Sequence, residues 1–163
     1  MRINTSLVAC LLVVAGSAWP AAAQTVVTHI QTEGGNIASG VWVGDTFYLS
    51  GQLPTPMTPA DRDKGTPAVY GTMQQQAEST FTKIQNALKA QRLDIGDVVM
   101  MRVYMAADPK DGKLDFAGMN AAYAKFFGTP EQPNKPARAA LQVAALVAQG
   151  ALLEVEVQAA RSK

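Results

Sequence analysis

The feature that most constrains the fold is the run DVVMMRVYM at positions 97–105, which has no polar face apart from Arg102. A strand that is apolar on both sides is typical of one that is covered on both sides. We therefore expect this run to lie inside a sheet, with further structure packed on each face of it.

Two amphipathic helices flank this run. The first is predicted over 73–90 and the second over 115–127, where Asp115 is a plausible N-cap and Gly128 a stop. The apolar residues at helical spacing are Ala77, Phe81, Ile84 and Leu88 in the first, and Phe116, Met119, Tyr123 and Phe126 or Phe127 in the second. These stripes predict that both helices pack on the sheet.

Strands are predicted on both sides of the helices. Residues 25–30 are β-branched and extended, runs 41–43 and 46–49 form a hairpin around Gly44-Asp45, and two strands close the chain near 137–144 and 151–158. The order β-β-α-β-α-β-β groups the strands instead of alternating them strictly. It predicts an α+β fold with one sheet and both helices on one face.

The last two strands alternate in character. One side carries the apolar residues, and the other carries Arg138, Gln142, Glu154 and Glu156. We expect the apolar sides, with Ala139, Leu141 and Val143 in the first of these strands, to pack under the helices. A solvated face and a face that contacts another subunit both fit the remaining side.

The N-terminus has the organisation of a secretory signal peptide. Arg2 precedes a short apolar run at 7–16, and Pro20 is followed by three alanines that end at Ala23. Cleavage after Ala23 predicts a periplasmic or secreted protein that spans 24–163 and has no membrane anchor. A lipoprotein box ending at Cys10 is the alternative, but almost no apolar segment precedes that cysteine.

The composition after residue 23 excludes several classes of site. Arg2 is the one charged residue before that point, so 13 basic and 13 acidic residues remain and the net charge is zero. No basic tract points to nucleic acid. Cys10 leaves with the signal peptide and His29 is the single histidine, which argues against thiol catalysis, a Ser-His triad and a histidine metal site.

Five short segments occur in a specific order along the chain. They are LSGQLP at 49–54, IGDVV at 95–99, FAGMNAAY at 116–123 with the following Phe126-Phe127, PAR at 136–138 and EVE at 154–156. This series resembles the RidA (YjgF) family over most of the mature chain. The resemblance implies a chorismate-mutase-like fold and a homotrimeric barrel, with a pocket for a small imine or carboxylate at each subunit interface.

The resemblance also implies roles for particular residues. Arg138 would bind the substrate carboxylate, and Glu154 would place or activate the attacking water, without a metal or a cofactor. Ser50, Gly51 and Asn120 match positions near the family pocket, although each also has a structural interpretation. Ile37 stands where the family usually has an aromatic residue.

Three further departures concern the surroundings of the pocket. Ala140 replaces a frequent cysteine, residues 145–150 (ALVAQG) lack the usual Arg-Leu-Pro, and the proline-rich loop 53–71 is longer than expected. Loops of that length tend to be functional or mobile.

The sequence therefore predicts hydrolytic deamination of small 2-imino or 2-enamino acids to 2-oxo acids and ammonia. The alternative is a non-catalytic trimer that binds small carboxylates or acts as a holdase. A ribonuclease activity, attached to some relatives, is disfavoured by the zero net charge.

Overall fold

The computed structural model of the protein describes residues 24–161. The predicted signal peptide, its cleavage site and Cys10 lie outside these residues. The strands are β1 (Val27–Gln31), β2 (Ala38–Val43), β3 (Thr46–Gln52), β4 (Val98–Met105), β5 (Ala137–Gln142) and β6 (Leu153–Ala160), and the helices are α1 (Met73–Ala90) and α2 (Phe116–Tyr123).

All six strands form one mixed sheet in the order β1-β2-β3-β6-β4-β5. Neighbouring strands are antiparallel except β4 and β5, which run parallel. The single sheet with two helices confirms the predicted α+β class. The predicted order contained five strands, because residues 25–30 were predicted only as extended. These residues contribute to β1, so the sheet has six strands.

Helix α1 has the predicted bounds. Thr72 caps its N-terminus by accepting from the Gln75 N–H, and the Gln75 side chain accepts from the Thr72 N–H in return. The predicted stripe is correct, because Ala77, Phe81, Ile84 and Leu88 have no exposed surface. This stripe packs with the inward residues of the central strands to form the core.

Helix α2 is shorter than predicted. Asp115 caps it by accepting from the Gly118 N–H at 2.7 Å, as expected, but the regular helix ends at Tyr123 and turns continue towards Gly128. Phe127 is buried in these turns, whereas Phe116 is 43% exposed and does not belong to the core. The ring of Phe81 contacts the rings of Tyr123 and Phe127 edge-on, which places α2 beside α1 on one face of the sheet.

The predicted orientation of β6 is correct and that of β5 is wrong. Leu153, Val155 and Val157 are buried under the helices, and Glu154 and Glu156 point to the helix-free face. In β5, by contrast, Arg138 is level with the buried Met101 and faces the helices, while Leu141 is level with Tyr104 and faces away. Leu141 indicated the wrong inner side because β5 is an edge strand, whose residues are half-buried or exposed on both faces.

The long loop 53–71 contains local structure. Thr58 pairs with Val69 and Asp61 with Thr66, which gives a short ribbon that carries the exposed side chains of Met57 and Val69. Among residues 24–161, no helix is long and apolar enough to cross a bilayer.

Candidate functional site

Arg138 lies in a groove between β5 and α2. Its guanidinium carbon is 4.4 Å from the ring centre of Tyr123 and 6.0 Å from that of Phe116, and Nη1 is 4.0 Å from the sulfur of Met119. A guanidinium stacked on an aromatic ring is stabilised by its charge and by its flat face, which leaves the donor edge free. The side chain is therefore oriented without using its N–H groups on a carboxylate.

The ion pairs within residues 24–161 involve neither Arg138 nor Glu154. On the sequence alone, an ion pair with Glu154 or Glu156 on a facing strand is an alternative interpretation of Arg138. The structure contradicts it, because β4 separates β5 from β6 and Glu156 pairs with Arg102 at 2.8 Å.

Tyr123 is the aromatic platform under Arg138. Burial raises the pKa of its hydroxyl, and the nearby positive charge of Arg138 opposes that shift. A neutral phenol at physiological pH is suited to support a cation, because its ring presents a negative face.

Asn120 belongs to the same side of α2 as the groove. It lies between Phe116 and Tyr123 at helical spacing, so its half-buried side chain shares their face. Its recorded hydrogen bond is made by the backbone carbonyl, which accepts from the Ala124 N–H at 3.0 Å. Helical spacing thus places Asn120 on the side of α2 that borders Arg138.

Glu154 occupies the opposite, helix-free face of the sheet. It is half-buried at the start of β6, where the buried Leu153 and Val155 hold the backbone on either side of it. Its carboxylate lies directly over Gly51, so closely that a Cβ on that glycine would overlap the Glu154 side chain, whose Cδ is 3.0 Å from that position. Gly51 is therefore required for the close approach of this carboxylate.

Ser50 and Ile37 lie at the same end of the sheet as Gly51. The register between β3 and β6 shifts between Leu49 and Gln52, so Ser50 and Gly51 form an irregularity of the kind that often borders functional sites. The Ser50 hydroxyl donates to the carbonyl of Ala38 at 2.7 Å, which fixes the strand ends. Ile37 precedes Ala38 and is 73% exposed.

The predicted residues thus form two separate groups within one subunit. Arg138 and Asn120 lie on the helix-bearing face, and Glu154, Gly51, Ser50 and Ile37 lie at the other face or at the strand ends beside it. Arg138 is on the edge strand β5 at the level of Val157, three positions along β6 from Glu154. A single subunit therefore does not place the guanidinium and the carboxylate around one small molecule.

A polar cluster on the helix-free face was not predicted. Arg102 Nη1 donates to Glu156 Oε1 at 2.8 Å, and the Tyr104 hydroxyl donates to the same oxygen at 3.2 Å. Burial and the charge of Glu156 raise the pKa of Tyr104. The sequence signal was Arg102 itself, a lone charge in an otherwise apolar strand.

Two hollows of the subunit lie away from these residues. One of about 370 Å³ is bordered by Thr72, Lys113 and Leu152 with three aspartates, and one of about 320 Å³ is bordered mainly by residues 144–151. Neither hollow is lined by Arg138 or Glu154. Within residues 24–161, no cluster of three His, Cys, Asp or Glu side chains is arranged to hold a metal ion.

Comparison with known proteins gives a consistent family match. Residues 29–161 match the family model described as endoribonuclease L-PSP. A 2-iminobutanoate/2-iminopropanoate deaminase of Capra hircus is 36% identical over 122 residues, which cover 75% of this chain and 77% of that protein. A RutC family protein of Saccharolobus solfataricus is 34% identical over 129 residues, covering 78% of this chain and 89% of the relative.

A solved structure of a relative agrees with this match. The crystal structure of E. coli TdcF with bound serine superimposes with a TM-score of 0.60 at 30% sequence identity. The superposition covers 78% of this chain and 90% of that chain.

Proposed function

This chain belongs to the endoribonuclease L-PSP family, the YjgF/RidA proteins, and we propose that it hydrolyses small 2-imino or 2-enamino acids to 2-oxo acids and ammonia. The observation that carries the proposal is the guanidinium of Arg138, oriented by Tyr123 and Met119 and not paired with any carboxylate within residues 24–161.

Arg138 would bind the carboxylate of the substrate through two parallel N–H···O bonds. Stacking on Tyr123 fixes the plane of the guanidinium before the substrate arrives, so less side-chain freedom is lost on binding. The exposed ring of Phe116 borders the same groove, and we propose that it contacts the short apolar chain of the substrate.

Glu154 would act on the attacking water. The carboxylate accepts a proton as the water oxygen bonds to the imine carbon, and that proton passes to the imine nitrogen to give a carbinolamine. Breaking the C–N bond, with the hydroxyl proton transferred to the leaving nitrogen, yields the 2-oxo acid and ammonia. The imine carbon is electrophilic already, so positioning and one proton shuttle suffice.

We propose that the two groups meet between subunits of a homotrimer. Arg138 lies on edge strand β5, at the boundary of the subunit, while Glu154 lies on a helix-free face that exposes Tyr48 and Leu141. A second copy can therefore bring its own Glu154 towards Arg138. A pocket shared between subunits would also explain why the two hollows described above include neither Arg138 nor Glu154, since one copy would supply only half of that pocket.

The relatives support the same chemistry. The goat protein and a Bos taurus relative, which is also 36% identical, carry the name of an imine deaminase. TdcF was crystallised with serine, whose α-carboxylate is the kind of group that Arg138 would bind.

Export is proposed from the N-terminal sequence alone. Removal of residues 1–23 would leave Gln24, three residues before β1 begins. Mass spectrometry of the exported protein is expected to show Gln24 as the first residue, and a mature chain that retains positions 7–16 would refute the proposal.

The direct test of the activity generates 2-iminopropanoate with an amino-acid oxidase and follows its loss with and without purified protein 24–163. Loss is expected to accelerate with the wild-type protein and to return to the spontaneous rate with Glu154→Gln. Wild-type protein that binds 2-oxo acids but leaves the loss unchanged would refute the hydrolase and favour the non-catalytic carboxylate-binding trimer.

A further inference from the structure

Gln76 is the most buried amide side chain described, and it bonds to three backbone groups in two separate chain segments. It lies on α1 with 2% of its surface exposed, among apolar residues of the core. Its Nε2 donates to the carbonyl of Gly71 at 2.9 Å and to that of Gly150 at 3.3 Å, and its Oε1 accepts from the Leu152 N–H at 2.9 Å. Both donors and the acceptor are therefore used.

The segments that Gln76 joins are the loop before α1 and the loop before β6. Gly71 ends the long loop 53–71, and Gly150 ends the segment ALVAQG. Gly150 has a φ of +86°, and the ring of Tyr70 packs over it, so the two loops contact each other beside the Gln76 amide. One buried side chain thus holds the end of loop 53–71 and the end of segment 145–150 together.

Leu152 connects Gln76 to the strand that carries Glu154. Its N–H bonds to Gln76 and its carbonyl accepts from the Ala106 N–H at 2.9 Å, so both backbone groups are held just before β6 begins. Glu154 follows two residues later, and its carboxylate lies against Gly51 with little space to spare. A shift of the start of β6 would therefore move the carboxylate relative to Gly51.

We infer that Gln76 is a positioning residue for Glu154, acting through the Leu152 N–H. The inference rests on the proposed function, because it takes Glu154 as the group that places the water. Gln76 has no corresponding connection to Arg138, which lies on β5 and contacts α2. Its loss should therefore reduce turnover and leave carboxylate binding nearly unchanged.

The test compares Gln76→Met with Thr80→Val. Methionine keeps the length of the side chain and removes all three hydrogen bonds. Thr80 is equally buried one turn along α1, and its hydroxyl donates to the Gln76 backbone carbonyl at 3.0 Å, so Thr80→Val removes a buried hydrogen bond that lies within α1. Both variants are assayed with 2-iminopropanoate well below their melting temperatures, and both are crystallised.

Gln76→Met is expected to lower kcat about tenfold or more with KM within about twofold, because misplacement of a reacting group by about 1 Å is costly. Its crystal structure should show the start of β6 and the Glu154 carboxylate displaced from Gly51. Thr80→Val should change neither kcat nor the position of the Glu154 carboxylate. If Gln76→Met does not fold, Gln76→Glu tests the inference from the other side: it retains an oxygen for the Leu152 N–H, so Glu154 should stay against Gly51 and kcat should lie within about twofold of that of Thr80→Val, and a displaced Glu154 would contradict the inference.

Two results would overturn the inference. One is a Gln76→Met protein with Glu154 in its wild-type position, and the other is a kcat no lower than that of Thr80→Val. An inactive wild-type protein would refute the proposed function instead, and the crystal structures would still decide whether Gln76 sets the position of Glu154.

Discussion

At the scale of single residues, the environment of Arg138 distinguishes a carboxylate clamp from a surface charge. A surface ion pair contributes about 0–1 kcal/mol and tolerates lysine. Arg138 has aromatic and thioether neighbours and no carboxylate partner within residues 24–161. Its planar donor edge is the property that lysine cannot reproduce.

Arg138→Lys is therefore expected to lower the rate of 2-iminopropanoate hydrolysis by about one to two orders of magnitude, the range for losing a hydrogen bond to a charged group. The melting temperature should change little, because an ammonium can still lie over Tyr123. Arg161 also stacks on an aromatic ring, with its guanidinium carbon 4.5 Å from the ring centre of Trp42. Arg161→Lys is therefore the matched control and should hydrolyse 2-iminopropanoate at the wild-type rate. Equal activity of the two variants would remove Arg138 from the site.

Gly51→Ala tests the approach of the Glu154 carboxylate to the backbone. The added methyl group would overlap that carboxylate and displace it, so kcat should fall about tenfold or more. Gly96→Ala is the control, because the nearest neighbours of its Cβ would be the side-chain ends of Gln132 at 3.2 Å and Asn134 at 3.6 Å. Steady-state kinetics that show no difference between the two variants would contradict the placement of Glu154.

The site could be predicted from the sequence only in part. The family resemblance of the short segments pointed to Arg138, Glu154 and Gly51, and the alternation of β6 correctly oriented Glu154. The prediction of the side of the sheet to which Arg138 points was wrong. Ala139 and Ala140 are equally small, and Leu141 points away from the helices. Gln76 was missed, because a buried glutamine in an amphipathic helix looks like any polar helix residue in the sequence.

At the scale of secondary-structure elements, the contact between α1 and α2 includes one ion pair, Glu78 with Lys125 at 2.5 Å. The hydrogen bond from Lys125 lowers the pKa of the Glu78 carboxyl, with a smaller effect from Gln74. A lowered pKa in the folded state stabilises the protein above the ordinary pKa and ceases to do so as the pH falls through the lowered pKa.

Glu78→Gln is expected to lower the free energy of unfolding by less than about 1 kcal/mol near pH 7, because the pair is partly exposed. The difference from wild type should disappear at an acidic pH below the lowered pKa of the Glu78 carboxyl, where that group is protonated in the folded protein as well. Urea unfolding near pH 7 and at the acidic pH measures this difference in the free energy of unfolding. Glu131→Gln, on an exposed loop, is the control, and a difference that persists at the acidic pH would contradict the ion-pair explanation.

Local elements were easier to predict from the sequence than their arrangement. Helix α1 could be bounded correctly because its apolar stripe is complete, and Thr72 with Gln75 forms a capping box. Helix α2 was predicted too long because Phe126 and Phe127 continue its apolar spacing into non-helical turns. The insertion of β6 between β3 and β4 depends on pairing between distant segments, which no local pattern encodes.

At the scale of the whole molecule, the helix-free face determines the expected assembly. It exposes Tyr48 and Leu141 beside the partly buried Tyr104 and the ion pair of Arg102 and Glu156. A face that exposes large apolar side chains around a few charged groups is typical of contact between identical copies. Light scattering of protein 24–163 is expected to give three times the subunit mass, and a stable monomer at micromolar concentration would exclude a site shared between subunits.

The most direct measurement is complementation between two inactive variants, because Arg138 and Glu154 lie on opposite faces of one subunit. Arg138→Lys and Glu154→Gln chains, co-expressed with different tags and purified as mixed trimers, are assayed for 2-iminopropanoate hydrolysis. A site that takes Arg138 from one subunit and Glu154 from the next is intact at one of the three interfaces of every mixed trimer, so about a third of wild-type activity should return. Mixed trimers as inactive as the two parent variants would show that the two residues do not form a site between subunits.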